Sequence, residues 1–175
     1  MTQTQQPAPG FETESRTFTW ATPGQGDLAA LLELDGLGQL HAMRDGLMPP
    51  PPIMATLGFT DLRAERGRVV AEMPAAEFHY NPLGGVHGGV IATLLDTGTG
   101  CAVHSTLAVG ELYTSVDLTV KFLRPVTVDS GLLTCEGTVI QRGRRTALAQ
   151  AQLTDGAGRL VAHATSTCLI MRPGE

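Results

Sequence analysis

The residues that most constrain this chain lie between positions 87 and 104. Val90, Ile91, Leu94, Leu95, Cys101 and Ala102 recur there at helical spacing. The apolar face they define is very wide, and a helix apolar around so much of its circumference has to be buried on most sides. Gly98 and Gly100 sharpen the constraint. Each costs about 1 kcal/mol in a helix interior relative to Ala, so a neighbouring backbone or sheet is expected to pack closely against them.

The rest of the chain supplies that packing partner. After the helix the apolar period switches to two. Val116, Leu118, Val120 and Phe122 alternate with Asp117, Thr119, Lys121 and Leu123. Leu133, Cys135, Gly137 and Val139 follow, then Ala147, Ala149, Ala151 and Leu153, then Leu160, Ala162, Ala164, Ser166, Cys168 and Ile170. Arg142-Gly143 and Asp155-Gly156 mark the hairpins between the last three strands. Ahead of the helix, residues 57–64 and 68–74 read as two strands around a turn at Arg66-Gly67, with Val69, Ala71 and Met73 on one face. A loop over 74–86 carries the turn signals Asn81-Pro82 and Gly84-Gly85. Two strands, one buried helix and four antiparallel strands predict an α+β fold. One antiparallel sheet wrapped around one long central helix satisfies every apolar face.

The N-terminal third is different. Residues 1 to about 26, rich in Thr, Gln, Pro and Gly, read as a mostly flexible tail, and residues 28–34 as a short helix. Asp35 is an N-cap for a second helix reaching Arg44 or Asp45, with Leu37, Leu40 and Met43 on one side. Gly46 ends it, and prolines 49–52 form a stiff extended connector. The expected division is an extension over 1–35, a helix and proline connector over 36–52, and the main domain over 53–172.

Composition narrows the function. A length of 175 residues suits one domain with a real core. A net charge of -5 leaves no broad basic surface for nucleic acid. Cys101, Cys135 and Cys168 lack zinc-type spacing and read as reduced core thiols of a cytoplasmic protein. No basic segment followed by an apolar run opens the chain, and the apolar stretch over 90–103 is interrupted by Asp96 and too short to span a bilayer. A soluble, cytoplasmic location is expected, without nucleic acid or membrane as partner.

Asp96 stands out because it interrupts that apolar helix. If buried, it is costly unless paired, and desolvation makes it a better base for activating water. The alternative is that it lies on a narrow exposed strip. Gly88 and Gly89 open the helix, where free N–H groups and the helix dipole favour developing negative charge. Two glycines there meet the specification of an oxyanion hole, or else form a simple Gly-rich helix entry. His87 precedes them. A metal site with His79 and Asp96 has no supporting spacing, and no Ser sits on a strained elbow of a Ser–His–Asp triad. Arg142, Arg144 and Arg145 cluster at one hairpin tip, either as a solvated turn or as a phosphate clamp.

Together these segments resemble a known family. FHYNPLGGVHGGVIATLLD (78–96) is similar to the active-site segment of hotdog-fold acyl-CoA thioesterases of the phenylacetate-degradation (PaaI-like) type. The resemblance continues through YTSVDLTVKFLRPV (113–126), RGRR and DGAGRLVAHATSTCLI, covering roughly residues 36–171. It implies a hotdog fold and hydrolysis of an acyl-CoA to a free acid and coenzyme A. It assigns Asp96 as general base or nucleophile and the Gly88 N–H as donor to the thioester oxygen. His87 and Asn81 shape that donor site, and Ser115, or the adjacent Thr114, holds the water. Arg142, Arg144 and Arg145 contact coenzyme A, which is part of the substrate; no cofactor or metal is implied. Some relatives carry a hydroxyl residue one turn after the acid, where this chain has Gly100.

Gly88 and Asp96 are eight residues apart, about 12 Å along a helix, too far to serve one carbonyl. The resemblance implies a homodimer or homotetramer in which Gly88 of one chain meets Asp96 of the other at the subunit interface. Two further readings are a non-catalytic acyl-CoA binding module, which would not need the helix acid, and a hotdog hydratase or dehydratase.

Overall fold

The structure, a computed structural model, describes residues 10, 12–22, 30 and 32–172. Helix α1 spans Gly36–Arg44 and α2 spans Pro52–Leu57. Strands β1 (Asp61–Glu65) and β2 (Arg68–Pro74) precede the long helix α3 (Gly88–His104). Then come β3 (Leu112–Ser115), β4 (Thr119–Phe122), β5 (Leu132–Arg142), β6 (Thr146–Thr154) and β7 (Leu160–Met171). The strands form one antiparallel sheet in the order β1-β2-β5-β6-β7-β3, and β4 also pairs with β7.

The sheet wraps α3, as the wide apolar face requires. Leu94 and Leu95 are fully buried against Met73, Leu133, Cys135 and Leu153. The glycines explain how closely helix and sheet approach. An ideal Cβ on Gly137 of β5 would lie 2.0 Å from the Gly98 carbonyl oxygen, and one on Gly98 would lie 2.7 Å from Cys135 Sγ. No side chain fits between them, so the helix rests on bare sheet backbone. At Gly100 the space is taken by Tyr113, whose Oη lies 2.8 Å from where a Cβ would be.

Helix α1 begins where expected: Asp35 Oδ1 accepts from the Gly38 N–H at 2.8 Å, one of the donors a helix start leaves unsatisfied. Leu40 packs with Leu62, Ala64 and Val69, joined by Leu37 and Met43. His41 Nε2 donates to the Ala64 carbonyl at 3.0 Å, so α1 covers part of edge strand β1.

Three expectations are corrected. The strand expected over 57–64 begins only at Asp61, because Pro52 starts α2 instead. Proline is tolerated at the first helical position, where its missing N–H has no role. Gly58, at φ 79°, then ends the helix in the left-handed conformation. Of the strand expected over 116–123 only β4 (Thr119–Phe122) forms, and residues 116–118 make a break between it and β3. Asp117 Oδ1 accepts from the Thr167 N–H at 2.8 Å and its carbonyl accepts from Ser166 Oγ at 2.8 Å, displacing ladder bonds that a continuous strand would make. The expected alternation fails with it, since Val116 and Phe122 are exposed while Leu118 and Val120 pack on the core.

Of the expected tail, residues 12–22 form no helix or strand and are exposed, and residues 1–9, 11 and 23–26 lie outside the described set. The short helix expected over 28–34 lies partly outside it as well. Among the described residues no helix is long and apolar enough to cross a membrane.

Candidate active site

The loop before α3 is organised by short-range bonds. Asn81 Oδ1 accepts from the N–H groups of Leu83 (2.8 Å) and Gly85 (3.4 Å), and the Asn81 N–H donates to the Gly85 carbonyl at 2.8 Å. This tight turn leaves the Asn81 carboxamide NH2 without an acceptor among the described residues. His87 is the N-cap of α3, and its Nδ1 accepts from the Gly89 N–H at 2.9 Å. Nδ1 is therefore the unprotonated nitrogen in this arrangement. The Gly88 N–H, between them, donates to nothing among the described residues. It is a helix-terminal donor pointing outward, with the Phe122 ring so close that a Cβ on Gly88 would meet it at 3.2 Å. Asn81, Gly88, Ile91, Phe122 and Arg124 line one concavity of about 370 Å³.

Two turns further along, Asp96 lines a second concavity of about 430 Å³ with Thr93, Ser115, Asp117 and Leu118. Ser115 Oγ donates to Asp96 Oδ1 at 3.2 Å. Thr114 Oγ1 instead turns back to the Ser115 carbonyl. Strand alternation decides between the two hydroxyls: Tyr113 and Ser115 face the helix, and Thr114 faces away. Of the two alternatives for Asp96, burial or a narrow exposed strip, the single chain has the exposed strip. The helix is sealed by the sheet on its Gly98 side, and Asp96 lies on the strip left open beside the break between β3 and β4, exposed to solvent.

The groups behind this strip are buried or half-buried. Burial, with the charge of Asp96 adding to it, pushes the Cys101 thiol up to about 12. Burial also pushes the Cys135 thiol up to about 12. Tyr113 is pushed above its ordinary range by burial and by Cys101, Cys168 and Asp96. All three cysteines are free. These are inert interior thiols, since reactivity belongs to the thiolate. Sequence reasoning missed Asp117, which lines the Asp96 cleft. Its place in an alternating stretch reads as an outward polar residue.

The arginine cluster divides. Arg142 Nη2 donates to Glu111 Oε2 at 2.7 Å, and Arg172 Nε donates to Glu111 Oε1 at 2.9 Å. Burial works to raise the Glu111 carboxyl, but the Ala108 N–H and these two arginines hold it below the usual carboxylate range. Arg142 is thus tied into the base of the hairpin, while Arg144 and Arg145 are exposed at its tip. The tip lies at the Ser115 end of the sheet, because Thr146 pairs with Leu169 and Leu169 with Thr114. His79 is far from acting as a ligand with Asp96: both its ring nitrogens are engaged by backbone groups, Nδ1 by Ala76 and Nε2 by Leu57. Among the described residues no cluster of His, Cys, Asp or Glu is placed to hold a metal ion.

The Thioesterase superfamily signature matches residues 83–162, from the Asn81 turn to β7. The chain is 31% identical over 109 residues to human acyl-coenzyme A thioesterase 13, covering 62% of this chain and 76% of the relative. Among solved structures, a phenylacetic acid degradation-related protein from Ralstonia eutropha JMP134 superposes with a TM-score of 0.68 at 33% identity, over 74% of this chain and 98% of that one. A Streptococcus mutans UA159 protein, solved bound to acetyl CoA, gives a TM-score of 0.59 at 27% identity, over 65% and 89%.

Proposed function

The chain belongs to the thioesterase superfamily, in its hotdog-fold PaaI-like branch, and is a thioester hydrolase; on that premise we propose that Asp96 and the Gly88 N–H act together on the carbonyl of an acyl-CoA. Asp96 supplies the carboxylate, taking a proton from the attacking water or attacking the carbonyl itself. The carbonyl oxygen gains negative charge and is met by the Gly88 N–H at the positive end of α3. The C–S bond then breaks. Where water attacked, the free acid forms directly and the proton held by Asp96 passes to the departing thiolate. Where Asp96 attacked, the thiolate leaves, taking a proton from solvent, and water hydrolyses the acyl-Asp96 anhydride to release the acid and restore the carboxylate. Ser115 orients the Asp96 carboxylate and the water beside it. Asn81 and His87 shape the donor site; His87 does so by taking the Gly89 N–H and leaving that of Gly88 open.

The observation that carries this reading is the unpartnered Gly88 N–H in one concavity and the Ser115–Asp96 pair in another. Within one chain they are about 12 Å apart along the helix, whereas both must reach within about 3 Å of one reacting group. A two-fold partner completes the site, Gly88 from one protomer facing Asp96 of the other. The outer edges of β3 and β4 carry no partner strand among the described residues, and Val116, Phe122 and Leu123 are exposed there. This reading calls for a homodimer, alone or paired into a homotetramer. Pairing also removes water from Asp96, which the single chain leaves exposed. Arg144 and Arg145 contact the coenzyme A phosphates as charge-assisted donors. The role of Arg142 is to hold Glu111.

The test is hydrolysis of a panel of aryl, short, medium and long acyl-CoAs by the wild type and by Asp96→Asn. Asn keeps the shape but cannot take a proton, so kcat should fall by about two to four orders of magnitude with folding intact. Activity of Asp96→Asn within about threefold of wild type sinks the assignment and favours a binding module.

A further inference from the structure

The last turn of α2 offers four backbone carbonyls that a helix end leaves without partners. All four are taken. Met54 accepts from the N–H groups of Gly58 (2.8 Å) and Phe59 (2.9 Å). Arg16, some forty residues earlier, donates to Ala55 at 2.6 Å and to Thr56 at 2.5 Å. His79 Nε2 donates to Leu57 at 2.8 Å. The guanidinium lies over the Phe78 ring, 4.2 Å from its centre, at the negative end of the helix dipole. Gly58 makes room for it: a Cβ there would sit 3.2 Å from Arg16 Nη2.

The same turn is bonded onward to the donor site. Buried His79 accepts the Ala76 N–H on Nδ1 at 3.2 Å, and its carbonyl accepts the His87 N–H at 2.8 Å. His87 in turn caps α3 beside Gly88. A continuous set of bonds thus runs from Arg16 through α2 and His79 to the residue that sets the direction of the Gly88 N–H. We propose that Arg16 and His79 are positioning residues for the oxyanion donor, the segment 12–22 acting as a strap that holds α2 against the loop carrying Asn81 and His87. This rests on the reading of Gly88 given above. Neither residue touches substrate. They act by fixing the donor within the fraction of an ångström that transition-state stabilisation requires.

The experiment uses the full chain with Arg16→Met, Arg16→Lys, His79→Gln, His79→Leu and the Arg16→Met/His79→Leu double variant. Met keeps the apolar stem over Phe78 without the donors. Gln keeps a donor toward Leu57, and Leu keeps neither bond. Steady-state kinetics are normalised to folded protein, and amide hydrogen exchange is followed over 81–89. Arg16→Met should lower kcat about tenfold with KM little changed and exchange at 81–89 faster. Arg16→Lys and His79→Gln should recover part of the loss. The double variant should fall no further than His79→Leu, because both residues act through one turn. Unchanged kcat and unchanged exchange in Arg16→Met overturn the proposal, as does a loss confined to thermal stability. If the wild type hydrolyses no acyl-CoA, the reading of Gly88 fails instead. Exchange over 81–89 then decides the strap by itself, faster exchange in Arg16→Met supporting it and unchanged exchange overturning it.

Discussion

On the proposed reading, helix α3 carries two unlike half-sites about two turns apart. At its start the working group is a backbone N–H, and its setting is a web of main-chain bonds: the Asn81 turn, the His79 carbonyl and the His87 cap. At its middle the working group is a side chain, Asp96, held by one hydroxyl on an open strip. The first is closely bonded and incomplete, having a donor but no carboxylate. The second has the carboxylate but is open to water. On this reading, the difference is that a single fold builds two half-sites and a second copy joins them. A backbone donor needs many residues to aim it, whereas a carboxylate needs only a helix position and an exit from the sheet.

The strongest way to break this comparison is to separate the halves. Asn81→Ala and Asp96→Ala chains, each assayed alone, should be nearly inactive. Unfolded together and reassembled, about half the dimers are mixed. Each mixed dimer has one site with both lesions and one with none, so up to roughly a quarter of wild-type activity should return. Confirmed mixed dimers no more active than the parents would show that one chain supplies both groups.

The seat shared by both halves is the glycine contact between helix and sheet. Gly137→Ala places a Cβ 2.0 Å from the Gly98 carbonyl and should destabilise the protein by about 3 kcal/mol. That corresponds to a melting temperature lower by about 10 °C. Gly89→Ala is the control, its Cβ meeting only the His87 ring at 3.0 Å, and a melting temperature equally reduced by it would show that the glycine seat is not special.

Within the second half, Ser115→Ala removes the one hydrogen bond that the Asp96 carboxylate receives among the described residues. It should lower kcat by about tenfold, while Thr114→Ala should leave kcat near wild type. Reversal of that order would place Thr114 in the site. Smaller still is the effect at the hairpin. Arg144→Ala and Arg145→Ala together should raise KM for an acyl-CoA a few-fold, roughly as two exposed charge contacts allow, and leave a thioester lacking the nucleotide unaffected. Equal loss on both substrates would make the hairpin structural, the part Arg142 already plays through Glu111.

Acid should act first on the donor half. Burial lowers His79 below its ordinary value of 6.5, and His104 likewise. Below about pH 6.5 the unfolded chain therefore binds protons that the native state refuses. Stability from these histidines is complete above that pH and lost as pH falls toward their folded values. Carboxylates held low, such as Glu111 and Asp155, add their loss only below their ordinary 4.5 and 3.8. Thermal melts from pH 7 to pH 5 should show a decline that His79→Gln reduces, and an unchanged decline would remove His79 from the account.

Some of this was determined by the sequence alone. The wide apolar face of α3, the period-two stretches with Arg142-Gly143 and Asp155-Gly156 between them, and Asp35 before α1 are local patterns. Their physics is contained in a few neighbouring residues, so the wrapped helix and the hairpins were legible. Asp96 was legible as an oddity for the same reason, and the segment 78–96 carried the resemblance that named its part. Other features were decided only by tertiary structure. Whether Asp96 is buried or exposed depends on where the edge of the sheet is interrupted, and it is interrupted at the break between β3 and β4, where Asp117 bonds to Thr167, fifty residues away. The choice of Ser115 over Thr114 follows from which face of β3 meets α3. Helix α2 escaped detection because six residues make too short a period to read, and its end is satisfied by Arg16 and His79 from distant positions. Backbone carbonyls and N–H groups are the same at every residue. A sequence therefore shows which side chains a chain owns, while the direction of a Gly88 N–H is set only when distant segments close around it.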